Sequence, residues 1–534
     1  MTRKPILVKY FFLLLAFVMV FTIATGTVSG APGDEDRPKP IEPFPDDGGS
    51  SALPASSRDI QRVPAAPGAT WTVPGDYATI QAAINGATTG DIITVAAGTY
   101  PEALLIDGID LTITGAGAGS SFISGTAGQT QYIVRITNGA VVYLSGFTID
   151  GTGIDRQYGI YADAGSDGDI HDNEVINISW PGAGGLAIRR QECYIDVTDN
   201  VVYGFGRIGI YTRDDVIGNT DTGVISGNTV TALGGSDPDR LSYGISVYSG
   251  NPTIDNNDIY DCVSGANVAQ WASCGLDVWT GSTATISNNN FFDSEIGILS
   301  NSASPVMSGN TFTNISEHDV RMDYFVKGNP TPHWAEYYNT IQEAIDAAPV
   351  TTHLVIVWIG VYSGGGTYTE ALNVNKPCHI WGYSRAGVLL DVVGHAVNGA
   401  GVYICADDVL IAEFTLQGSN TNSTPRYGVK FGAYDGCYLD DAEIRNVYRS
   451  GMDANGATNL VVSNVEAKDN GGNGLQLCDC SNVTFEDITT SNNAWGGVAM
   501  FTWGQYAPIG VTGVVFTGTN SFGETSADVG GIYL

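Results

Sequence analysis

The 534-residue chain carries 56 acidic against 23 basic side chains, a formal charge of −33. A field of that sign repels nucleic acid and unassisted polyanions, so nucleic-acid binding is excluded and an acidic glycan would need a bridging cation. The eight cysteines have no zinc-type spacing; they are read as free or locally paired thiols, with Cys262 and Cys274 spaced so that they could close one short loop.

In chain order, Arg3, Lys4 and Lys9 precede an apolar run from Tyr10 to Ile23 and the small-residue stretch Thr27-Val28-Ser29-Gly30. This predicts a secretory signal peptide over residues 1–30. The run is shorter than the ~20 residues of a spanning helix. The mature chain is therefore expected to have no membrane span and to be secreted or displayed on the extracellular cell surface. Residues 31–69 hold eight prolines among Asp, Glu, Ser and Gly, the composition of a disordered linker.

Tyr77, Ile80, Ile84 and Ala87 recur at helical spacing behind Asp76, read as the N-cap of a short helix that closes one end of a core. Ile92 to Val95, Gly98-Thr99-Tyr100-Pro101-Glu102 and Leu111 to Gly115 then supply the first strands. From residue 170 a pattern recurs six times: an apolar residue, two small or polar ones, Asn, one more, and a β-branched or aromatic residue. Its asparagines are 173, 200, 228, 257, 289 and 310, at solenoid spacing. Between these units lies a second pattern, Gly followed by apolar residues, at Gly159, Gly185, Gly209, Gly244, Gly275 and Gly297. Strands this short pair only with the equivalent strand of the next coil. Stacked coils bring equivalent asparagines about 4.8 Å apart, where their amides form a ladder. The glycines are expected to serve unusual backbone dihedrals.

If the residue after Gly points inward, positions two and four after Gly point outward. That face reads Tyr161 and Asp163, Ala187 and Arg189, Tyr211 and Arg213, Ser246 and Tyr248, Asp277 and Trp279, Leu299 and Asn301. Exposed rings at regular spacing suit stacking on sugars, and Arg and Asp suit hydroxyls or carboxylates; Tyr211 and Trp279 are expected to be solvent-exposed on the side that bears Arg189 and Arg213.

Beyond Lys327-Gly328-Asn329-Pro330-Thr331-Pro332 the opening series returns as Thr340-Ile341-Gln342-Glu343-Ala344-Ile345, Gly366-Thr367-Tyr368-Thr369-Glu370 and His379 to Gly382, which indicates a tandem duplication. There Tyr403, Lys430, Asp453 and Gln476 follow Gly by two positions in successive coils. Gly531-Ile532 lies two residues before the last residue, Leu534; an uncapped coil is expected to continue, making this sequence a piece of a longer protein.

The entry motif, Thr-Ile-Gln-x-Ala-Ile followed by Gly-Thr-Tyr-x-Glu, resembles that of the pectin lyase-like right-handed parallel β-helix superfamily, and the resemblance covers nearly everything after residue 70. It implies an all-β fold of two tandem right-handed parallel β-helices, each opened by a short capping helix: residues 70–325, a hinge over 326–335, and residues 336–534, incomplete at the C-terminus. It also implies that the Gly strands form the sheet that carries polysaccharide sites. The superfamily's signatures are mostly absent: there is no Asp-Phe-Ile-Phe-Gly, no Arg-Pro-Trp and no Arg-x-Pro-x-x-Arg. Asn219-Thr220-Asp221 matches one polygalacturonase motif alone and reads better as a turn.

The preferred reading is a protein that binds polysaccharide or a cell-envelope glycan on the outer face of one sheet, through Tyr161, Tyr211, Tyr248, Asp277, Trp279, Tyr403, Lys430 and Asp453. The alternatives are a polysaccharide lyase or glycoside hydrolase using Asp163, Arg189, Arg213 and Asp214, and a structural spacer or adhesin arm. No cofactor is expected, calcium excepted: Asp163, Asp167, Asp169 and Asp172 are the densest carboxylate cluster.

Overall fold

The computed structural model describes residues 39–40, 68–126, 131–180, 184–214, 223–268, 271–279, 281–331, 333, 335–506, 510–524 and 531–533. The signal peptide, the linker apart from residues 39–40 and 68–69, and Asn219-Thr220-Asp221 lie outside them. Two compact units result, residues 39–366 with 377–383, and residues 367–376 with 384–534. No helix of the described residues is long and apolar enough to cross a membrane.

In the first unit three parallel sheets run along the stack. Ten strands from Thr70–Val73 to Val306–Ser308 form the first, nine from Gly98–Tyr100 to Thr311–Thr313 the second. The third contains Tyr132–Thr137, Tyr158–Ala162, Leu186–Gln191, Ile208–Arg213, Tyr243–Val247, Cys274–Val278, Ile296–Asn301 and His318–Val326. In Thr253–Asp255 and Asp258–Tyr260 only the central isoleucine is buried. Each short strand thus contributes one apolar side chain to a continuous core, where Ile170, Val197, Ile225, Ile254 and Ile286 form one fully buried column.

The turn between the first two sheets carries the expected ladder. Amide nitrogen donates to amide oxygen from Asn173 through Asn200, Asn228, Asn257 and Asn289 to Asn310, at 2.9–3.2 Å. Each receiving oxygen also accepts the backbone N–H of the previous asparagine. The residue before each asparagine is left-handed, from Asp172 at φ 54° to Gly227 at φ 69°. This is why only Asp, Asn or Gly occurs there.

The strand glycines serve a different purpose from the one expected. Gly159, Gly209, Gly244, Gly275 and Gly297 do not have positive φ. A Cβ on Gly159 would instead lie 2.6 Å from the Ala187 carbonyl oxygen and 2.8 Å from a Val175 methyl. The constraint is close approach between coils.

Helix α1, Ile80–Gly86, is capped by Thr79 rather than Asp76. The Asp76 carboxylate is used one turn earlier, accepting from the Thr72 N–H and hydroxyl at 2.8 Å. Glu102 completes the cap: its two oxygens accept the N–H groups of Ile80 and Gln81, both at 2.9 Å. The two halves of the entry motif therefore meet at a helix N-terminus, where a carboxylate is favoured. Helix α2, Ile341–Ala347, starts with Thr340 and Glu343 in a reciprocal capping box. It lies, like residues 326–335, within the first unit.

In the second unit a seven-stranded sheet runs from Leu372–Val374 to Ile532–Tyr533. Three coils replace two short strands by one of eight residues, Leu410–Gln417, Tyr438–Arg445 and Val461–Lys468, each bent at a left-handed residue, Glu413, Asp441 or Asn464. A second ladder joins Asn470 to Asn493 at 2.8 Å.

All eight cysteines are free. Cys262 and Cys274 do not close a loop, because Cys262 packs into the interior core whereas Cys274 belongs to the apolar cluster on the outer side of the third sheet.

Candidate functional site

The outer face of the third sheet consists of columns fixed by register. Arg135, Tyr161, Arg189, Tyr211, Ser246, Asp277, Leu299 and Arg321 form one. Gln191 pairs with Arg213 in the next, where Asp163 lies one position beyond the paired Ala162 and Arg190. This corrects one coil of the sequence reading. Gly185 sits two residues before the strand position occupied by the other glycines, so Ala187 takes that position and is buried in the core. The outward pair there is Arg189 and Gln191.

Tyr211, Trp279, Arg189 and Arg213 share this sheet side, but they are not exposed. Tyr211 and Trp279 retain 3% and 4% of their surface, and Arg189, Arg213, Asp163, Asp214 and Asp277 are buried as well; Tyr161 and Tyr248 are half-buried. Loops fold back over the sheet and contribute Leu241, Val268, Trp271, Ala272, Ala335 and Tyr362 to one apolar cluster with Tyr158, Tyr211, Tyr243 and Trp279. Two buried glutamates pin this roof. Glu295 accepts from the Ser264 N–H and hydroxyl and the Ser273 N–H at 2.7–3.1 Å. Glu336 accepts from Gly328 and His333 N–H through one oxygen, and from Tyr362 and Ser363 N–H and the Ser363 hydroxyl through the other. Lys39 and Pro40 also rest here: the Pro40 carbonyl accepts the Ala272 N–H at 3.0 Å, and the Lys39 carbonyl accepts from Arg321 at 2.6 Å.

Under the roof, burial pushes the Asp277 carboxyl up to about 7, opposed by hydrogen bonds from Ser246 and Trp279. Its Oδ2 accepts the Trp279 indole N–H. Arg321 and Asp323 form a fully buried ion pair at 2.9 Å. Arg189 is wedged against the rings of Tyr158, Tyr161 and Tyr211 at 5.0–5.6 Å and donates to the Tyr158 hydroxyl and to Gln191. Arg213 lies over Tyr248 at 4.9 Å. These guanidinium groups hold rings and amides in place, a poor arrangement for a proton-abstracting base.

The face opens towards the first coils. There a cleft of about 280 Å³ is lined by Asp107, Arg135, Tyr161, Asp163, Gln191 and Glu192, among others. Arg135 pairs with Asp163 at 2.7 Å and lies over the Tyr161 ring at 5.3 Å. The Tyr161 hydroxyl donates to Gln191 at 3.0 Å, and burial raises its pKa. Asp107 accepts from the Asn138 amide at 2.6 Å. The second Asp163 oxygen is buried and has no hydrogen-bond partner among the described residues.

The other expected groupings separate. Asp163 borders the cleft, whereas Asp167 and Asp169 stand on a strand of the first sheet, where Asp169 accepts from the Thr198 hydroxyl at 3.0 Å and burial pushes its carboxyl up to about 6. Asp172 occupies the ladder turn beside His171. Among the described residues no three acidic, histidine or cysteine groups converge to hold a metal. The calcium cluster is thus split between two sheets. Asp163 and Asp214 are separated by two coils, as the spacing indicated.

In the second unit Tyr403, Lys430, Asp453 and Gln476 are successive register partners. Lys430 lies over Tyr403 and Tyr427 at 5.8 and 5.5 Å. Asp453 is buried and accepts from Asn455 and Gln476 at 2.8 Å, and burial raises its pKa. It acts as a structural acceptor.

Sequence reasoning missed Arg135, Gln191, Asp107 and Glu192. The strand Tyr132–Thr137 has no glycine to mark it; the alternation Val134, Arg135, Ile136 was the available signal.

The model of the right-handed β-helix region family matches residues 132–271, 191–329 and 376–532, more than half of the chain. No curated protein sequence matches. Similar solved structures include the catalytic unit of a thermostable α-1,3-glucanase from Streptomyces thermodiastaticus (13% identity, 89% of this chain and 71% of that one, TM-score 0.28). An alginate lyase from Paenibacillus (14%, 73% and 98%, TM-score 0.30) and a pectin methylesterase from Aspergillus niger (16%, 48% and 90%, TM-score 0.28) are also similar. Likeness at this level carries no inference about chemistry.

Proposed function

Since the chain belongs to the right-handed β-helix family, we propose that it is an exported protein that binds a polysaccharide or cell-envelope glycan in the cleft around Tyr161 on its third sheet. The observation that carries this reading is the cleft's lining. A half-buried ring, a guanidinium, an amide and carboxylates border one open concavity, the mixture of stacking surface and hydrogen-bonding groups that sugar recognition uses. The roofed aromatic face does not contribute accessible rings.

Binding is tested by affinity electrophoresis of the purified protein through a panel of neutral and acidic polysaccharides. Tyr161→Ala is expected to weaken retention at least tenfold, about the 1.4 kcal/mol that one lost ring contact represents. Retention by no polysaccharide, or unchanged retention of the variant, overturns the reading. A hydrolase is the second reading, favoured because Asp107, Asp163 and Glu192 border the same cleft and glycoside hydrolysis needs a carboxyl pair. New reducing ends in the same incubations would establish it.

A further inference from the structure

We propose that the second unit carries a separate site for an acidic sugar chain on the outer face of its seven-stranded sheet, and that this site takes its ligand without a bridging metal ion.

The charge of −33 argues against such a ligand for the molecule as a whole, but on this face it is locally reversed. Arg426 and Lys430 stand in one coil and Arg449 in the next: the Arg426 carbonyl accepts the Arg449 N–H at 2.9 Å, and Lys430 is the register partner of Asp453. None of the three cations forms an ion pair among the described residues. Arg426 is exposed and the other two are half-buried. Asp453, the acid beside Lys430 and Arg449, is 2% exposed, and its two oxygens accept from the Gln476 and Asn455 amides at 2.8 Å. The acid is thus satisfied by neutral donors, and the cations are left for a carboxylate from outside the chain.

The same face offers ring surface on a fixed floor. The column of Arg426 and Arg449 continues through Gly472 to Trp495, whose N–H the Gly472 carbonyl accepts at 3.0 Å. A Cβ on Gly472 would lie 3.1 Å from Arg449 Cγ; without one, Arg449 reaches across, its guanidinium 5.1 Å from the Trp495 ring centre and 5.8 Å from that of Tyr427. Trp495 is 50% exposed. An open indole beside cations stacks on a sugar ring while the cations meet its carboxylate. Beneath, the buried Gln476 oxygen accepts from the Ser450 hydroxyl and the Asn473 amide at 3.1 and 3.2 Å, which holds the floor in one arrangement before a ligand arrives. Nucleic acid, whose duplex carries a charge every ~1.7 Å, is repelled by the rest of the chain more strongly than a uronate with one charge per ring.

The experiment is isothermal titration of the full chain in a Tyr161→Ala background, so that the first-unit cleft takes no part. The ligands are oligogalacturonate and alginate oligomers, neutral oligoglucans and single-stranded oligonucleotides, each at low and high salt and with calcium or chelator. The expected result is binding of a uronate series in chelator, with affinity that falls as salt rises and exceeds that for the other ligands. Lys430→Gln and Trp495→Ala, both at partly exposed positions, should each weaken it by about tenfold or more with the thermal midpoint retained. Lys430→Arg, which keeps the charge, should preserve it. Absence of uronate binding in chelator overturns the proposal, as does affinity unchanged in Lys430→Gln or in Trp495→Ala. Oligonucleotide binding as tight as that of the uronates overturns it too, and so does salt-sensitive self-association in sedimentation that Lys430→Gln abolishes, which would assign the face to a second copy of the chain. Each of these failures leaves the first-unit cleft standing, because that reading is measured with Tyr161 intact.

Discussion

At the scale of single residues, the two most informative side chains are a buried amide and a buried acid. Asn257 is fully buried and its side chain takes part in five hydrogen bonds: its oxygen accepts from Asn228 N–H and amide, and its amide donates to Ile225, Asp255 and Asn289. Asn257→Ala leaves partners on both adjoining coils unsatisfied, at about 1–3 kcal/mol each when fully desolvated. The expected outcome is a fall of a few kcal/mol in unfolding free energy, read from the urea midpoint. The same change at half-buried Asn310 should cost less. Asp277 gives the opposite kind of test. Its pKa is raised in the fold to about 7 by burial, so the native state holds more protons than the unfolded chain between about pH 4 and pH 7. Stability from this group is complete below that window and is lost as pH rises through it. Asp277→Asn, which keeps an oxygen for Trp279, is expected to flatten the decline, and its advantage over the wild type at pH 8 should be at most about 4 kcal/mol. Parallel pH–stability curves for the two proteins would contradict this.

At the scale of elements, the entry motif shows what was legible in the sequence and what was not. Helical spacing marked α1 correctly, and the ladder asparagines could be numbered in advance, because both follow from periodicity and local turn chemistry. The cap was misplaced to Asp76 because the carboxylate that finishes it, Glu102, arrives from the loop between the strands Gly98–Tyr100 and Leu104–Asp107, 22 residues after Ile80. Sequence proximity could not reveal it. Glu102→Ala removes two charge-assisted hydrogen bonds from the helix that covers the first coil, and should cost about 1.5–3 kcal/mol by thermal or denaturant unfolding. Glu102→Gln should recover part of that, since one amide oxygen can still accept. The strand glycines were found for the wrong reason: their pattern is visible in sequence, but the carbonyl of the neighbouring coil that excludes a Cβ is not.

At the scale of the whole molecule, strand alternation correctly placed Tyr161, Tyr211 and Asp277 on one side of one sheet, and it could not say that later loops would return to cover most of that side. The roof is held by Glu295 and Glu336, which lie on different segments from the strands they help to bury. The consequence is a division of labour along one outer face, and it can be measured. Under the roof, Trp279 is an interior side chain, so Trp279→Ala should lower stability by about 3–5 kcal/mol, as for other large buried rings. It should leave glycan affinity in the remaining folded protein unchanged. At the open end, Tyr161→Ala should show the reverse emphasis: a smaller loss of stability, because the ring is only half-buried, with the larger loss in binding. Paired measurements of unfolding and of glycan affinity on the two variants separate these effects. If Trp279→Ala weakens binding at constant stability, the roof opens in solution and the aromatic face beneath it is part of the site. If both variants lose stability alone, the cleft has no part in recognition.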